Sequence, residues 1–230
     1  MPNSRALGGA PRVHALPLDR PRPPSPTHRG AQLPVHLSPA LCAGLDALAE
    51  ATGATRFMVL LAAFDAWLHR ESGSADLVVG TPVLGRDRPE IEGLIGFFAG
   101  TLALRVTLFD DPSFRTLVER VRARSLAAYA HQQLPFEKVV EALRPARDTG
   151  HHPLFQLMFA LQEPPPRAKQ GALSIHFTEL EAGASPFDLL LQLHEEGGAL
   201  AGTVDYASEL FDRATIARWI EHLRALITEA

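Results

Sequence analysis

Residues 76–106 read DLVVGTPVLGRDRPEIEGLIGFFAGTLALRV, and their reading decides the fold. Leu77 to Val83 is a short apolar run rich in β-branched residues, the pattern of a strand buried on both faces. Thr101 to Leu108 alternates instead, with Leu102, Leu104, Val106 and Leu108 on one face, as a half-buried strand does. Between them Gly85, Pro89, Gly93, Gly96 and Gly100 demand several sharp bends. Bends of that density position something rather than merely join two strands.

Working outward, a strand at Leu33 to Leu37 leads into Ser38-Pro39, an N-cap with proline in the first helical position. Leu41, Leu45 and Leu48 carry that helix to Gly53, a C-terminal stop. Thr55 caps a second helix whose Phe57, Leu60, Leu61, Phe64, Trp67 and Leu68 form a broad apolar face, and Gly73 closes it. Both helices are expected to pack on the sheet that begins at Leu77. Downstream, Asp111-Pro112 opens a long helix with a buried stripe of Phe114, Leu117, Val118, Val121 and Ala128. Pro135 breaks it and starts a shorter one, Phe136 to Leu143.

Strict alternation then predicts four strands. Phe155 to Leu161 forms one, and Leu173, Ile175 and Phe177 form another after Pro164-Pro165-Pro166. Phe187 to Leu193 and Leu200 to Tyr206 form a pair turned by Gly197-Gly198. Asp212 caps a last helix carrying Ile216, Trp219, Ile220, Leu223 and Ile227. The expected class is α/β, one mixed β-sheet with packed helices over residues 33–230. Residues 1–32 hold seven prolines among arginines and small residues, so they read as an arm or linker with no core of its own, and composition alone favours disorder there.

A net charge of −4 and an isoelectric point near 6.2 give no reason to expect nucleic acid or an anionic membrane as partner. Cys42 is the single cysteine, which rules out an intrachain disulfide and favours a cytoplasmic setting. No apolar run is long enough to span a membrane, and the N-terminus lacks the order of a signal peptide. No G-x-S-x-G elbow, H-E-x-x-H or P-loop appears, and one cysteine builds no zinc knuckle, so no metal site is expected.

Three motifs in order resemble the condensation domains of nonribosomal peptide synthetases. GTPVLGR with LIGFFAGTLALR is similar to the family's Gly-rich core motif, HQQLPFE at His131 to Glu137 to its HQDxPFE, and RDTGHHPLFQLMF at Arg147 to Phe159 to its RDxSRxPLFQVMF. LPLDRPRPP at Leu16 to Pro24 resembles the family's interlobe crossing. The likeness covers only the second half of such a domain, which implies the C-terminal lobe of a chloramphenicol acetyltransferase-like fold. It also implies amide-bond formation, an acyltransferase-type reaction, between an acyl or peptidyl thioester and an aminoacyl amine, both held on phosphopantetheine arms of peptidyl carrier proteins. No cofactor is expected on the chain itself. The implied partners are the N-terminal condensation lobe, carrier proteins and a neighbouring adenylation domain.

The family's HHxxxDG motif, which supplies the proton-handling histidine, is absent. His151-His152 is followed by PLFQL and lies inside the third motif, so no catalytic residue is assigned and the chain is expected to be inactive alone. Whether it is half of an enzyme or a carrier-binding module or remnant stays open.

The resemblance marks channel or lobe-interface candidates, each with a plainer reading. Arg86 and Arg88 pair with carboxylates across the interface or are simply solvated. Gly96, Phe97, Phe98 and Thr101 line a channel, or the phenylalanines fill core. His131 and Gln132 bond across the lobes or stabilise a helix corner. Arg147 and Asp148 pair locally. Asp188 follows Pro186, where a basic residue is common in the family. Gly100 stands where the family usually has asparagine, and Gly150 and His151 replace the usual Ser and Arg.

Overall fold

In the computed structural model, residues 6–86, 89–145, 149–163, 168–170, 173–175 and 183–229 are described. The opening stretch forms β2 (Asp76–Val83) and β3 (Gly100–Thr107), paired antiparallel with Leu77 opposite Val106, Val79 opposite Leu104 and Thr81 opposite Leu102. Those six side chains share one face, as the period of two requires. The main sheet runs β1-β8-β7-β4-β2-β3, where β1 is Gly30–Leu37, β4 is Leu157–Gln162, β7 is Leu189–Glu196 and β8 is Ala199–Ala207. β4 runs parallel to β2 and β7 while the outer pairings are antiparallel, so the sheet is mixed. Gly197 and Gly198, at φ 60 and 82, make the tight β7–β8 turn that only residues comfortable at positive φ allow.

The helices start and stop where the caps place them. Ser38 accepts from the Leu41 N–H ahead of α1 (Pro39–Thr52), and Gly53 ends it at φ 61. Thr55 accepts from the Met58 N–H ahead of α2 (Arg56–Ser72), and Gly73 ends it at φ 68. The long helix α3 is Phe114–Tyr129, capped by Ser113 rather than Asp111-Pro112, because the Ser113 hydroxyl accepts from the Thr116 N–H. α4 is Phe136–Leu143 and α5 is Arg213–Glu229. Between one sheet face and the helices, Phe64 and Phe57 meet Phe159 at 5.8 and 5.5 Å, and Trp67 meets Trp219 at 5.7 Å. Among the described residues no single helix is long and apolar enough to cross a membrane.

Several expectations need correcting. β4 does not alternate, for Leu157, Met158, Phe159 and Ala160 are all buried. Phe155 and Phe187 precede their strands instead of belonging to them; Phe155 lies over Gly80, on the face away from Val79 and Leu104. β5 (Ala168–Gln170) and β6 (Leu173–Ile175) form a hairpin separate from the main sheet, and Phe177 falls outside the described residues. From residue 6 onward the proline-rich arm is strapped down rather than disordered. Leu7 and Leu16 are buried, and Asp19 accepts from the Asp212 N–H (2.8 Å) and the Thr215 hydroxyl (3.0 Å) at the start of α5. Fixed φ angles let so short a strap follow the surface without the entropy of a flexible coil.

Asp65 lies on α2 in the core, fully buried, with no partner for Oδ2, and burial pushes its carboxyl well above the ordinary value. A native state that holds a proton the unfolded chain releases loses stability as pH rises past the unfolded value of about 3.9. Asp65→Asn is therefore expected to be more stable than the parent at pH 7. The gain should shrink toward pH 4, as measured by urea unfolding at both values.

Candidate functional site

The loop between β2 and β3 closes on itself. Gly85 turns at φ +63, and any Cβ there would collide with the Phe98 carbonyl oxygen. Arg86 reaches across the loop, donating through Nη1 to the carbonyls of Ile91 (2.6 Å) and Glu92 (3.0 Å) and through Nη2 to that of Gly96 (3.4 Å). Its guanidinium also lies 4.5 Å from the centre of the Phe98 ring, a cation–π contact. Among the described residues Arg86 thus pairs with no carboxylate and is not free; it staples the loop. The consequence is seen in the side chains left outside: Leu84, Leu94, Ile95 and Phe97 are 72, 52, 104 and 93% exposed. Phe97 fills no core, contrary to the plainer expectation, and Phe98 is half-buried beside Arg86.

Gly100 and Thr101 begin β3 opposite Val83 and Pro82. A Cβ at Gly100 would sit 3.2 Å from Val83 Cγ2 and 4.0 Å from the Gln132 carbonyl, so the His131-Gln132 corner lies alongside the strand start. Backbone bonds hold that corner, from the His131 N–H to Ala128 (3.0 Å) and from the Gln132 N–H to Tyr129 (3.1 Å), while the His131 side chain is exposed. Arg88, Arg147 and Asp148 lie outside the described residues.

Four rings gather beyond the corner. His152 meets Phe136, Phe155 and Phe187 at 5.6, 4.7 and 5.3 Å. Its Nδ1 lies 2.9 Å from the Pro153 carbonyl and 3.2 Å from that of Phe155, and since carbonyls only accept, Nδ1 carries the proton. Burial among the rings lowers its pKa, against the pull of those two carbonyls and with a small push from His151, so the imidazole is neutral at pH 7. It braces a turn in which Leu154 sits at φ +69, an uncommon conformation for a leucine.

Asp188, just before β7, is 8% exposed. Arg22 grips it with both Nη atoms, one at 3.0 Å from Oδ1 and the other in close contact with Oδ2, and His14 Nε2 approaches Oδ2 at 2.8 Å. His14 Nδ1 accepts from the Leu16 N–H (3.1 Å), which leaves Nε2 as the donor. Burial alone would raise the Asp188 carboxyl, but the bonds from His14 and Arg22 outweigh it and hold the group below its ordinary value. Nearby, Gln156 accepts from the His14 N–H and donates to the carbonyls of Arg12 and His152. His14, Arg22 and Gln156 were not among the sequence candidates. Their contacts with Asp188 and the arm cross 142 to 174 positions, and neither periodicity nor local spacing reports pairing over that range.

Two concave surfaces flank the braced turn. A cleft of about 920 Å³ separates the arm from α4, with Leu7, Val140, Leu143 and Leu154 in its walls and Arg12 and Arg144 at its edge. A recess of about 190 Å³ lies between His28, His152 and Asp188. His151 borders both, with Nδ1 3.2 Å from the His152 carbonyl. Exposed residues, Arg12 and Arg144 around one and His28 and Thr149 around the other, leave each open to solvent. Neither is a sealed pocket with an imidazole aimed into it. Among the described residues no group of three His, Cys, Asp or Glu is placed to hold a metal ion.

The sequence model of the Condensation domain family matches residues 4–230. The chain belongs to that family. Its condensation-domain relatives include the malpinin synthetase of Mortierella alpina, 42% identical over 223 residues, which cover 96% of this chain and 3% of that protein. The isonitrile lipopeptide synthase of Mycobacterium tuberculosis is 39% identical over 229 residues, 96% of this chain and 9% of that one. Among solved structures, holo-AB3403, a four-domain nonribosomal peptide synthetase, superposes with a TM-score of 0.92 at 28% identity, covering 98% of this chain and 18% of that one. The X-domain from teicoplanin biosynthesis gives 0.89 at 28% identity, covering 98% of this chain and 52% of its own. The mixed sheet with packed helices is therefore the chloramphenicol acetyltransferase-like fold of these condensation domains. The chain spans about half of the X-domain chain and a few per cent of the malpinin synthetase.

Proposed function

We propose that this chain supplies the C-terminal half of a condensation site in a nonribosomal peptide synthetase and does not form the amide bond by itself. In that reaction the amine nitrogen attacks the thioester carbonyl, the C–N bond forms, the C–S bond breaks, and the amine proton leaves as the thiol departs. A base must receive that proton or hold the ammonium-like intermediate. The observation that carries the proposal is the occupation of the histidines around the cleft and the recess: His151, which borders both, has Nδ1 3.2 Å from the His152 carbonyl. His14 is held between Asp188 and the Leu16 N–H, and His152 braces a turn. No HHxxxDG occurs anywhere in the 230 residues. Substrates arrive on the phosphopantetheine arms of carrier proteins in the cytoplasm, the chain itself binding no cofactor, beside an adenylation domain and an N-terminal lobe that brings the imidazole. The test is to incubate the isolated chain with an acyl carrier protein and an aminoacyl carrier protein. No amide above background is expected, and clear turnover would overturn the proposal.

One observation favours a second reading. An X-domain superposing with a TM-score of 0.88 was solved in complex with OxyB, so a fold of this kind also serves as a docking partner. On that reading the chain holds carrier proteins without chemistry. Carrier capture with no product, even with an N-terminal lobe present, would select it.

A further inference from the structure

We propose that the unpartnered chain binds further copies of itself head to tail, the stapled loop of one copy seating in the cleft between the arm and α4 of the next. The inference stands on the loop and cleft alone, not on the condensation reading.

The loop is built to dock. Arg86 binds three of its own loop's carbonyls and the Phe98 ring, so Leu94, Ile95 and Phe97 are held outward on a closed frame. Rigid, projecting apolar side chains lose little entropy on association. Glu90 and Glu92 flank them, both exposed and without an ion pair among the described residues. The cleft answers in both respects. Its walls are apolar at Leu7, Val140, Leu143 and Leu154, and its edge carries Arg12 and Arg144, exposed and likewise without an ion pair among the described residues. The acidic group at its edge, Glu141, is already bonded to Lys138 at 2.8 Å. The flanking pairs Asp87-Arg88 and Arg147-Asp148 each sum to zero charge, and with Arg86 counted the loop keeps one net negative charge against the two arginines at the cleft edge. An acidic-edged apolar projection thus faces a basic-edged apolar cleft, the complementarity that fixes partner and register.

Charge also decides the symmetry. A two-fold loop-to-loop contact would bring the glutamates of both copies together, which repel. Loop into cleft joins unlike patches, a heterologous contact that leaves one loop and one cleft open at the ends and so does not close on two copies.

The test is sedimentation velocity on the full chain over a concentration series, at low and high salt. The weight-average mass should rise past twice that of one chain without a plateau and fall in high salt. Ile95→Asp should block the loop and Arg144→Glu the cleft, each giving a monomer with unchanged circular dichroism; Phe97→Asp and Arg12→Glu serve as replacements should either misfold. Mixed in equal amounts, the two variants should form a dimer and nothing larger, since one retains only its cleft and the other only its loop. A monomer at every concentration, a plateau at the dimer for the unsubstituted chain, or no dimer in the mixture would each overturn the proposal. No carrier protein enters these measurements, so their failure is separable from any failure of the condensation reading.

Discussion

Gly80→Val is expected to leave little folded protein at room temperature. Gly80 pairs with Ala103 in β3 and bridges to Met158 in β4, on a strand flanked on both sides. A Cβ there would enter the Phe155 ring, 2.6 Å from both Cδ2 and Cζ. Phe155 is 1% exposed and packed edge-on and tilted among Phe136, His152 and Phe187 at 4.7 to 5.6 Å, so the ring cannot yield without moving the cluster. Overpacking of that kind costs about 3 kcal/mol or more where the neighbours are fixed. Gly80→Ala combined with Phe155→Leu should recover much of the loss, because a smaller, flexible side chain leaves room for the new methyl. Urea midpoints decide the matter, and a Gly80→Val protein unfolding at the parental midpoint would mean that Phe155 does not lie over the strand.

Asp188→Ala should be nearly as damaging, for a different reason. The substitution leaves Arg22, with its side chain 18% exposed, and His14, at 5%, facing a site that has lost its carboxylate. Removing one partner from a buried ion pair costs roughly 3–5 kcal/mol, most of it the penalty of an uncompensated buried charge. Hydrogen exchange should report the loss first in the arm, where the His14 and Arg22 contacts are made, and only later in β7 and β8. The parent's pH profile carries the same signature. The native carboxyl holds its proton less tightly than the unfolded one, so this group's contribution is complete above the unfolded value of about 3.9 and drains away as pH falls below it. A denaturation midpoint in the alanine variant that equals the parent's at pH 7 would show that the arm is not held through Asp188.

Where local chemistry sets the structure, the sequence was a sufficient guide. Ser38, Thr55, Gly53, Gly73 and the Gly197-Gly198 turn act within four residues of themselves, and the helices and the β7–β8 hairpin end where those residues require. Leu102, Leu104 and Val106 show their alternation because one face of β3 is packed and the other is not. The readings that failed depend on distant parts of the chain. β4 is buried on both faces, a fact its own alternation cannot report. The arm's prolines speak of extended backbone but say nothing of the carboxylate that Arg22 reaches 166 positions away. Arg86 was legible as a loop residue, yet its partners are carbonyls, which leave no trace in side-chain pattern.

The proposed site is divided, with cleft walls in this chain and the proton-handling imidazole on another lobe. That division is tested most directly by adding a separately produced N-terminal condensation lobe bearing HHxxxDG to this chain and a loaded pair of carrier proteins, and measuring the amide product by mass spectrometry. Product is predicted in the complete mixture, at background when either half is omitted, and lost when the second histidine of that motif is changed to alanine. Product formed by this chain and the carriers alone would contradict the account.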